Sequence, residues 1–473
     1  MWRPRGLNES IPAAIGAVLV LISGTVSIQD LVQIAETISG AAITILATIV
    51  TAIVLESFGF FVYAAEFLAN RAQNSGVRLF WYINLSCFLM TMLFNNDGSI
   101  LIMTPILLIL LRKLGLRPHQ QIPYLLSGAL IATASSAPIG VSNIVNLISL
   151  KIIGMNLDLF TSMMFIPAML GLVLLLMLLF LYFRKELPAD LKANRRSPKP
   201  RPKHNIEYTL LPEHEVMKQQ HHPLHLPLPD IAKIGEKRKR ADSAPNKVIK
   251  EDHSLLGEMD NNHRMRFMRN VFLYVIGIRV SLFVVAYFGI SVSIAAVMGA
   301  VVLLVWRWAK LHVPPTDLIR KTPWHNVLFV FGMYIVIYGL YKIGMTTFLV
   351  DNIRQLATSG LIHASLTMGI LVSVMSSVFN NHPALMIGTL TLTKMGFTPM
   401  LEKVAYLGNV VGSDIGSLLL PIGTLATLMW MHILKRNHIS ITWRKYLSVT
   451  VIVIPVTVLF TLVFLSFWVG WLF

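Results

Sequence analysis

Three things are scarce in this chain of 473 residues. Cysteine is the scarcest: Cys87 stands alone, which excludes an intrachain disulfide and a thiolate metal cluster, since each needs more than one sulfur. Charge is low, at 13% of residues against 55% in the hydrophobic class; soluble globular domains carry roughly 25% charge. Acid is the rarer sign, 23 Asp and Glu against 40 Lys and Arg, for a net charge of +17. In a soluble protein that excess would suggest nucleic acid, but here the bases sit in short loops and one long polar insert, so they report topology and no nucleic-acid partner is expected. Period-two alternation is also missing from the apolar stretches, which excludes a membrane β-barrel.

What is present is lipid-compatible sequence, with a mean hydropathy of +0.66. Apolar runs of about 17 to 25 residues, each able to cross a roughly 30 Å hydrocarbon core as a helix, recur along the chain. Spans are predicted at 11–29, 40–57, 160–183, 268–288, 293–308, 324–342 and 444–470. Four further stretches, 79–111, 122–153, 364–395 and 403–432, are broken by polar residues, Gly and Pro. The first run follows Arg3 and Arg5 without a small-residue cleavage pattern, so it reads as a span and not a signal peptide. The fold class is all-α and polytopic. Backbone that leaves the helix at membrane depth is tolerated only where it is buried or lines a cavity, so the four interruptions are where function is expected.

An internal repeat links them. Phe94-Asn95-Asn96-Asp97 reappears as Phe379-Asn380-Asn381-His382, 285 residues later; Pro138-Ile139-Gly140 reappears as Pro421-Ile422-Gly423, and Gly16-Ala17-Val18 as Gly299-Ala300-Val301, both 283 later. Each match is weak, but three in one order at nearly one offset indicate a duplication. The chain therefore divides into a first transmembrane repeat, 1–183, a basic loop, 184–266, and a second repeat, 267–473. Each repeat is expected to hold a re-entrant hairpin and a broken helix. The leading helix 268–288 has no counterpart in the first repeat, which is expected to be one N-terminal span short.

Placing the loop in the cytoplasm puts Arg71, Arg78, Arg112, Lys113, Arg117, Lys435 and Lys445 on that side and Asp30 to Glu36 opposite, with Lys151, Lys342, Arg354 and Lys403 as outward exceptions. Five spans plus a hairpin in the second repeat is an odd number, which inverts it against a complete first repeat, the architecture of secondary transporters. The loop, with Lys237-Arg238-Lys239-Arg240 at its basic centre, has the composition of a disordered segment or a surface for anionic lipid; His221, His222 and His225 could hold a metal, but no carboxylates complete a site, so neither a metal nor any other cofactor is expected.

The hairpin tip Asn95, Asn96, Asp97 sets amides and a carboxylate inside a 33-residue apolar stretch, where ionisable groups are costly and functional by default. The same residues could cap the second hairpin arm, a role compatible with binding. The break around Ser135, Ser136, Pro138, Ser142 and Asn143 offers hydroxyls and an amide; its repeat partner offers Ser413, Asp414 and Thr424. Asp97 and Asp414 come from opposite repeats and are the proton-coupling candidates; Asn95, Asn96, Ser135, Ser136, Ser142, Asn143, Asn380, Asn381, Ser413 and Thr424 are the substrate-binding candidates. Glu56 and Glu66 are weaker carboxylate candidates near a span end. No nucleophile, base and orienting group form a set, so the chain is not expected to be an enzyme.

The segments NNDGSILIMTPILLILL, VSNIVNLIS, GMYIVIYGL, SSVFNNHPALMIGTL and PIGTLATLMWMHIL resemble the arsenite and antimonite efflux permeases, the arsenical pump membrane proteins of the ion transporter superfamily. The resemblance runs from Trp2 to the final span. It implies a multi-pass protein of the cell membrane that exports trivalent metalloid hydroxide, by exchange with protons or together with a cytosolic arsenical pump ATPase, on a dimeric elevator-like scaffold. It also implies departures: Thr133 stands where the family has Asp, Ser417 and Leu418 where it has Pro-Lys, Ser413 for Cys and His382 for Met. With one cysteine, a tris-thiolate trap is impossible, so a metalloid would be held as its neutral hydroxide by hydrogen bonds. A sodium/proton antiporter or an inorganic or organic anion transporter on the same scaffold is the alternative.

Overall fold

The computed structural model describes residues 10–72, 75–191, 261–311, 316, 322 and 324–473. The first half runs α1 (Ser10–Ile22), α2 (Ile28–Ser57), α3 (Phe60–Arg71), α4 (Gly76–Leu93), α5 (Asn96–Lys113), α6 (Pro118–Ala134), α7 (Ile144–Ile153) and α8 (Leu157–Phe183). The second runs α9 (Asn261–Tyr287), α10 (Val292–Leu311), α11 (Trp324–Lys342), α12 (Met345–Ala357), α13 (Leu361–Phe379), α14 (Asn381–Leu392), α15 (Pro399–Asp414), α16 (Leu425–Arg436) and α17 (Trp443–Leu472). Among the described residues there is no strand, and eight helices are long and apolar enough to cross a membrane.

The order from α2 to α8 repeats from α11 to α17, so the two halves carry the expected hairpins, α4–α5 and α13–α14, and the expected broken helices, α6–α7 and α15–α16. The halves interlock. Hairpin arm α5 packs on α16 of the other half, and α14 on α7; α2 packs on α10 and α1 on α11, while α8 and α17 pack on each other. Offsets refine the duplication. The hairpin caps Asn95 and Asn380 are 285 residues apart, but the caps of α7 and α16, Asn143 and Thr424, are 281 apart. The Pro-Ile-Gly match at 283 therefore pairs residues two positions out of structural register.

Boundaries move for local reasons. Asp30 to Glu36, expected as a loop, are the first turns of α2, because Ser27 and Asp30 form a reciprocal capping box that starts the helix at Ile28. The loop expected over 184–266 is narrower: the N–H of Gly76 donates to the carbonyl of Pro188 at 3.1 Å, Leu187 and Leu191 are buried, and α9 begins at Asn261. His221, His222, His225 and the basic run 237–240 lie outside the described residues. Two of the residues expected as outward exceptions meet the N-terminal part of α2: Lys342 pairs with Asp30 at 3.0 Å and Lys151 donates to the carbonyl of Glu36.

Candidate functional site

The first hairpin turns because Phe94 leaves the helix (φ −125°, ψ −100°) and Asn95 restarts it. The Asn95 side-chain oxygen accepts from the N–H of Gly98 at 3.0 Å, and its carbonyl accepts from the Ser99 hydroxyl at 2.7 Å. Asn96 uses its oxygen on the N–H of Asp97, at 2.9 Å. Asp97 is half-buried in this first turn, and no protein donor bonds its carboxylate among the described residues. The second hairpin turns at Asn380, whose φ of +86° is rare for a residue with a side chain; its oxygen accepts from the N–H of His382 at 3.2 Å. The N–H of Asn381 donates to the carbonyl of Gly423 at 2.9 Å, which ties this tip to the break between α15 and α16.

Both breaks share one design. After Ala134, Pro138 supplies no N–H; a single 3-10 turn, Gly140–Ser142, follows, and Asn143 then caps α7 by accepting from Val145 at 3.1 Å. After Asp414, the turn Gly416–Leu419 and Pro421 lead to Thr424, which caps α16 by accepting from Thr427 at 3.0 Å. Asp414, fully buried at the end of α15, is the meeting point of the halves. The amides of Asn143 and Asn146 donate to its two oxygens at 3.0 and 2.9 Å, with the Ser413 hydroxyl at 3.5 Å, whereas the Ser136 hydroxyl donates to the Thr133 carbonyl at 2.8 Å.

The structure thus brings together Asp414, Asn143 and Ser413 from the predicted set and leaves Asp97 at the first hairpin tip. It places others in local bonds. The Ser135 hydroxyl donates to its own helix at Ile131, and Thr424 is engaged with Thr427. Thr133, too, bonds back to Ala129. A polar remainder stays unsatisfied: Asn96 Nδ2, Ser142 Oγ, Asn146 Oδ1, Asn380 Nδ2, both amide atoms of Asn381, His382 Nδ1 and Ser417 Oγ are buried and make no hydrogen bond within the protein. Buried polar atoms are nearly always bonded, so this concentration at the four interruptions points to a hydrogen-bonding ligand or water there. Sequence reasoning missed Asn146 and Tyr406, whose hydroxyl donates to the Asn146 carbonyl at 3.1 Å. Asn146 sits three residues after Asn143, one helical turn on, and that spacing was the available signal. Glu56 lies at the end of α2 and Glu66 on α3, in other elements. Among the described residues, no group of three His, Cys, Asp or Glu side chains could hold a metal.

Comparison with known proteins agrees with this architecture. The family described as citrate transporter matches residues 1–407. An arsenical pump membrane protein of Escherichia coli is 31% identical over 460 residues, covering 97% of this chain and 93% of that protein. The chain belongs to the citrate transporter family and groups there with the arsenical pump membrane proteins. A Bacillus subtilis protein, which bears the arsenical pump name as a provisional assignment, is 50% identical over 474 residues, covering 100% of this chain and 97% of its own. For the fold alone, the crystal structure of the Alcanivorax borkumensis YdaH transporter, described as having an unusual topology, superposes with a TM-score of 0.55 at 11% identity, over 98% of this chain and 99% of that one. As an arsenical pump relative the chain is a multi-pass membrane transporter.

Proposed function

We propose that this transporter exports trivalent metalloid as its neutral hydroxide, in exchange for protons, with Asp97 and Asp414 as the proton-carrying groups. The observation that supports it best is the buried carboxylate of Asp414 in one half, held by amides from the other, with a second carboxylate, Asp97, at the first hairpin tip. Asp414 is held by three side chains, while among the described residues Asp97 has no protein donor. A carboxylate can bind and release a proton as access alternates between the two sides; an amide can only exchange hydrogen bonds. The unpaired polar atoms of Asn96, Asn380 and Asn381 suit a neutral polyhydroxy solute that both donates and accepts.

The citrate transporter match raises the alternative of anion transport. Against it stands the charge of the site: among the described residues, no Lys or Arg side chain bonds any of residues 95–97, 143–146, 380–382 or 413–414, and the nearby Arg279 is engaged with the carbonyls of Leu93 and Phe94, so a tricarboxylate would face two acids with that one cation already bonded. In the proposed orientation residues 184–266 are cytoplasmic, where a cytosolic ATPase could reach them, and the working form is a homodimer. Everted vesicles with an imposed proton gradient decide the matter. Accumulation of arsenite or antimonite that needs the gradient but not sodium is the expected result; sodium-dependent uptake, or citrate uptake without metalloid uptake, overturns it.

A further inference from the structure

A half-buried arginine holds the first hairpin, and it comes from the other half of the molecule. Arg279 lies within the candidate span Met265–Tyr287 of α9. Its Nε and Nη2 donate to the carbonyls of Leu93 and Phe94. Those are the last carbonyls of α4, left without helical partners because the chain turns at Phe94 and restarts at Asn95. Among the described residues no carboxylate pairs with the guanidinium, so its charge is balanced by the negative end of α4 and by these two carbonyls. The planar fork matches two adjacent carbonyls in a way that a point-like ammonium does not.

The second hairpin is held differently. Its tip is tied to its own half through Asn381 N–H on the Gly423 carbonyl, and the hydroxyls of Ser376 and Ser377 donate to the carbonyls of Gly412 and Gly416, at 3.0 and 3.1 Å. The first tip thus depends on a side chain of α9, a helix outside the repeated set. Arg279 is bonded one residue before Asn95 and three before Asp97, so the position of its fork sets where those two groups point.

We propose that Arg279 is a positioning residue for transport, acting through the first hairpin tip on Asn95 and Asp97. This inference rests on the proposed role of that tip. Its test is a double-mutant cycle on KM, read in everted vesicles with arsenite and normalised to folded transporter by size-exclusion profile. Arg279→Gln is expected to raise KM about tenfold in the otherwise unchanged protein, to change it less than twofold in the Asn95→Ala background, and to keep its full effect in the Asn381→Ala background. Arg279→Lys, which keeps the cation without the fork, is expected to fall between, and it carries the same cycle if the Gln variant does not accumulate. Equal effects of the Arg279 substitution in all three backgrounds would assign Arg279 to general stability and overturn the inference. If instead Asn95→Ala itself leaves KM unchanged, the proposed role of the tip fails first.

Discussion

At the residue scale the two acids are not equivalent. Asp414 is fully enclosed and bonded through both oxygens by Asn143 and Asn146, whereas Asp97 stands half-buried at a hairpin tip without a protein donor among the described residues. Asp97→Asn and Asp414→Asn are each expected to leave membrane abundance near normal while abolishing metalloid accumulation driven by an imposed pH gradient. Asp97 loses no protein donor among the described residues, and at 414 the amide oxygen can accept from Asn143 while its N–H2 donates to the unpartnered Asn146 oxygen once that amide flips. A gradient still built by both variants would move the coupling site elsewhere. The two asparagine caps make a second contrast. Asn95 is extended at φ −160°, so Asn95→Ala loses a cap worth about 1 kcal/mol. Asn380 sits at φ +86°, where Ala is strained as well; Asn380→Ala is expected to cost about 1–3 kcal/mol more, and Asn380→Gly to recover that part. Thermal unfolding of the purified variants in detergent checks the order.

At the scale of elements, the broken helix α15 is packed unusually closely on hairpin arm α13. Gly408, Gly412 and Gly416 recur at four-residue spacing, and a Cβ at Gly412 would lie 2.3 Å from the Gly369 carbonyl, one at Gly408 2.7 Å from the Ser365 carbonyl. Small residues at this spacing let helix backbones approach in a membrane, where no hydrophobic drive separates lipid from protein contact. Gly412→Ala is therefore expected to destabilise the protein by about 1–3 kcal/mol or more, since the obstacle is backbone and cannot swing away. Gly40→Ala is the control: nothing lies within 4 Å of its added Cβ on α2, and helix propensity alone predicts a gain of up to about 1 kcal/mol. Equal midpoints for the two variants would refute the close-packing account. The same contact bears on the proposed role of Asp414, because α15 ends at that residue and any shift of it on α13 moves the carboxylate.

At the scale of the whole molecule, the transport core is built from elements that the loop does not join: α5 on α16, α14 on α7, and Asn143 and Asn146 on Asp414. Deleting residues 195–255, whose composition is rich in Lys, Arg, Pro and His, is expected to leave vesicle transport within about twofold of the intact protein, because that composition offers little apolar surface to pack into such a core. Loss of transport at normal membrane abundance would show the loop to be part of the machine.

What the sequence determined by itself was everything that follows from local chemistry. Apolar length yields spans, Pro and Gly with Asn and Ser at membrane depth mark interruptions, and a duplicated Phe-Asn-Asn pairs the hairpins at an offset of 285 residues. The candidate acids stood out for the same reason, since Asp97 and Asp414 are costly wherever they sit in lipid. Tertiary structure alone decided which hydroxyls bond their own helix, as Ser135 does, and which reach the other half. It alone placed Asn146 beside Asp414 across 268 residues of chain, and Arg279 on carbonyls 185 and 186 residues away. The physical reason is that a hydroxyl or an arginine has the same side-chain chemistry in any helix. Its partner is chosen by how the two halves interlock, and that depends on packing between elements distant in sequence.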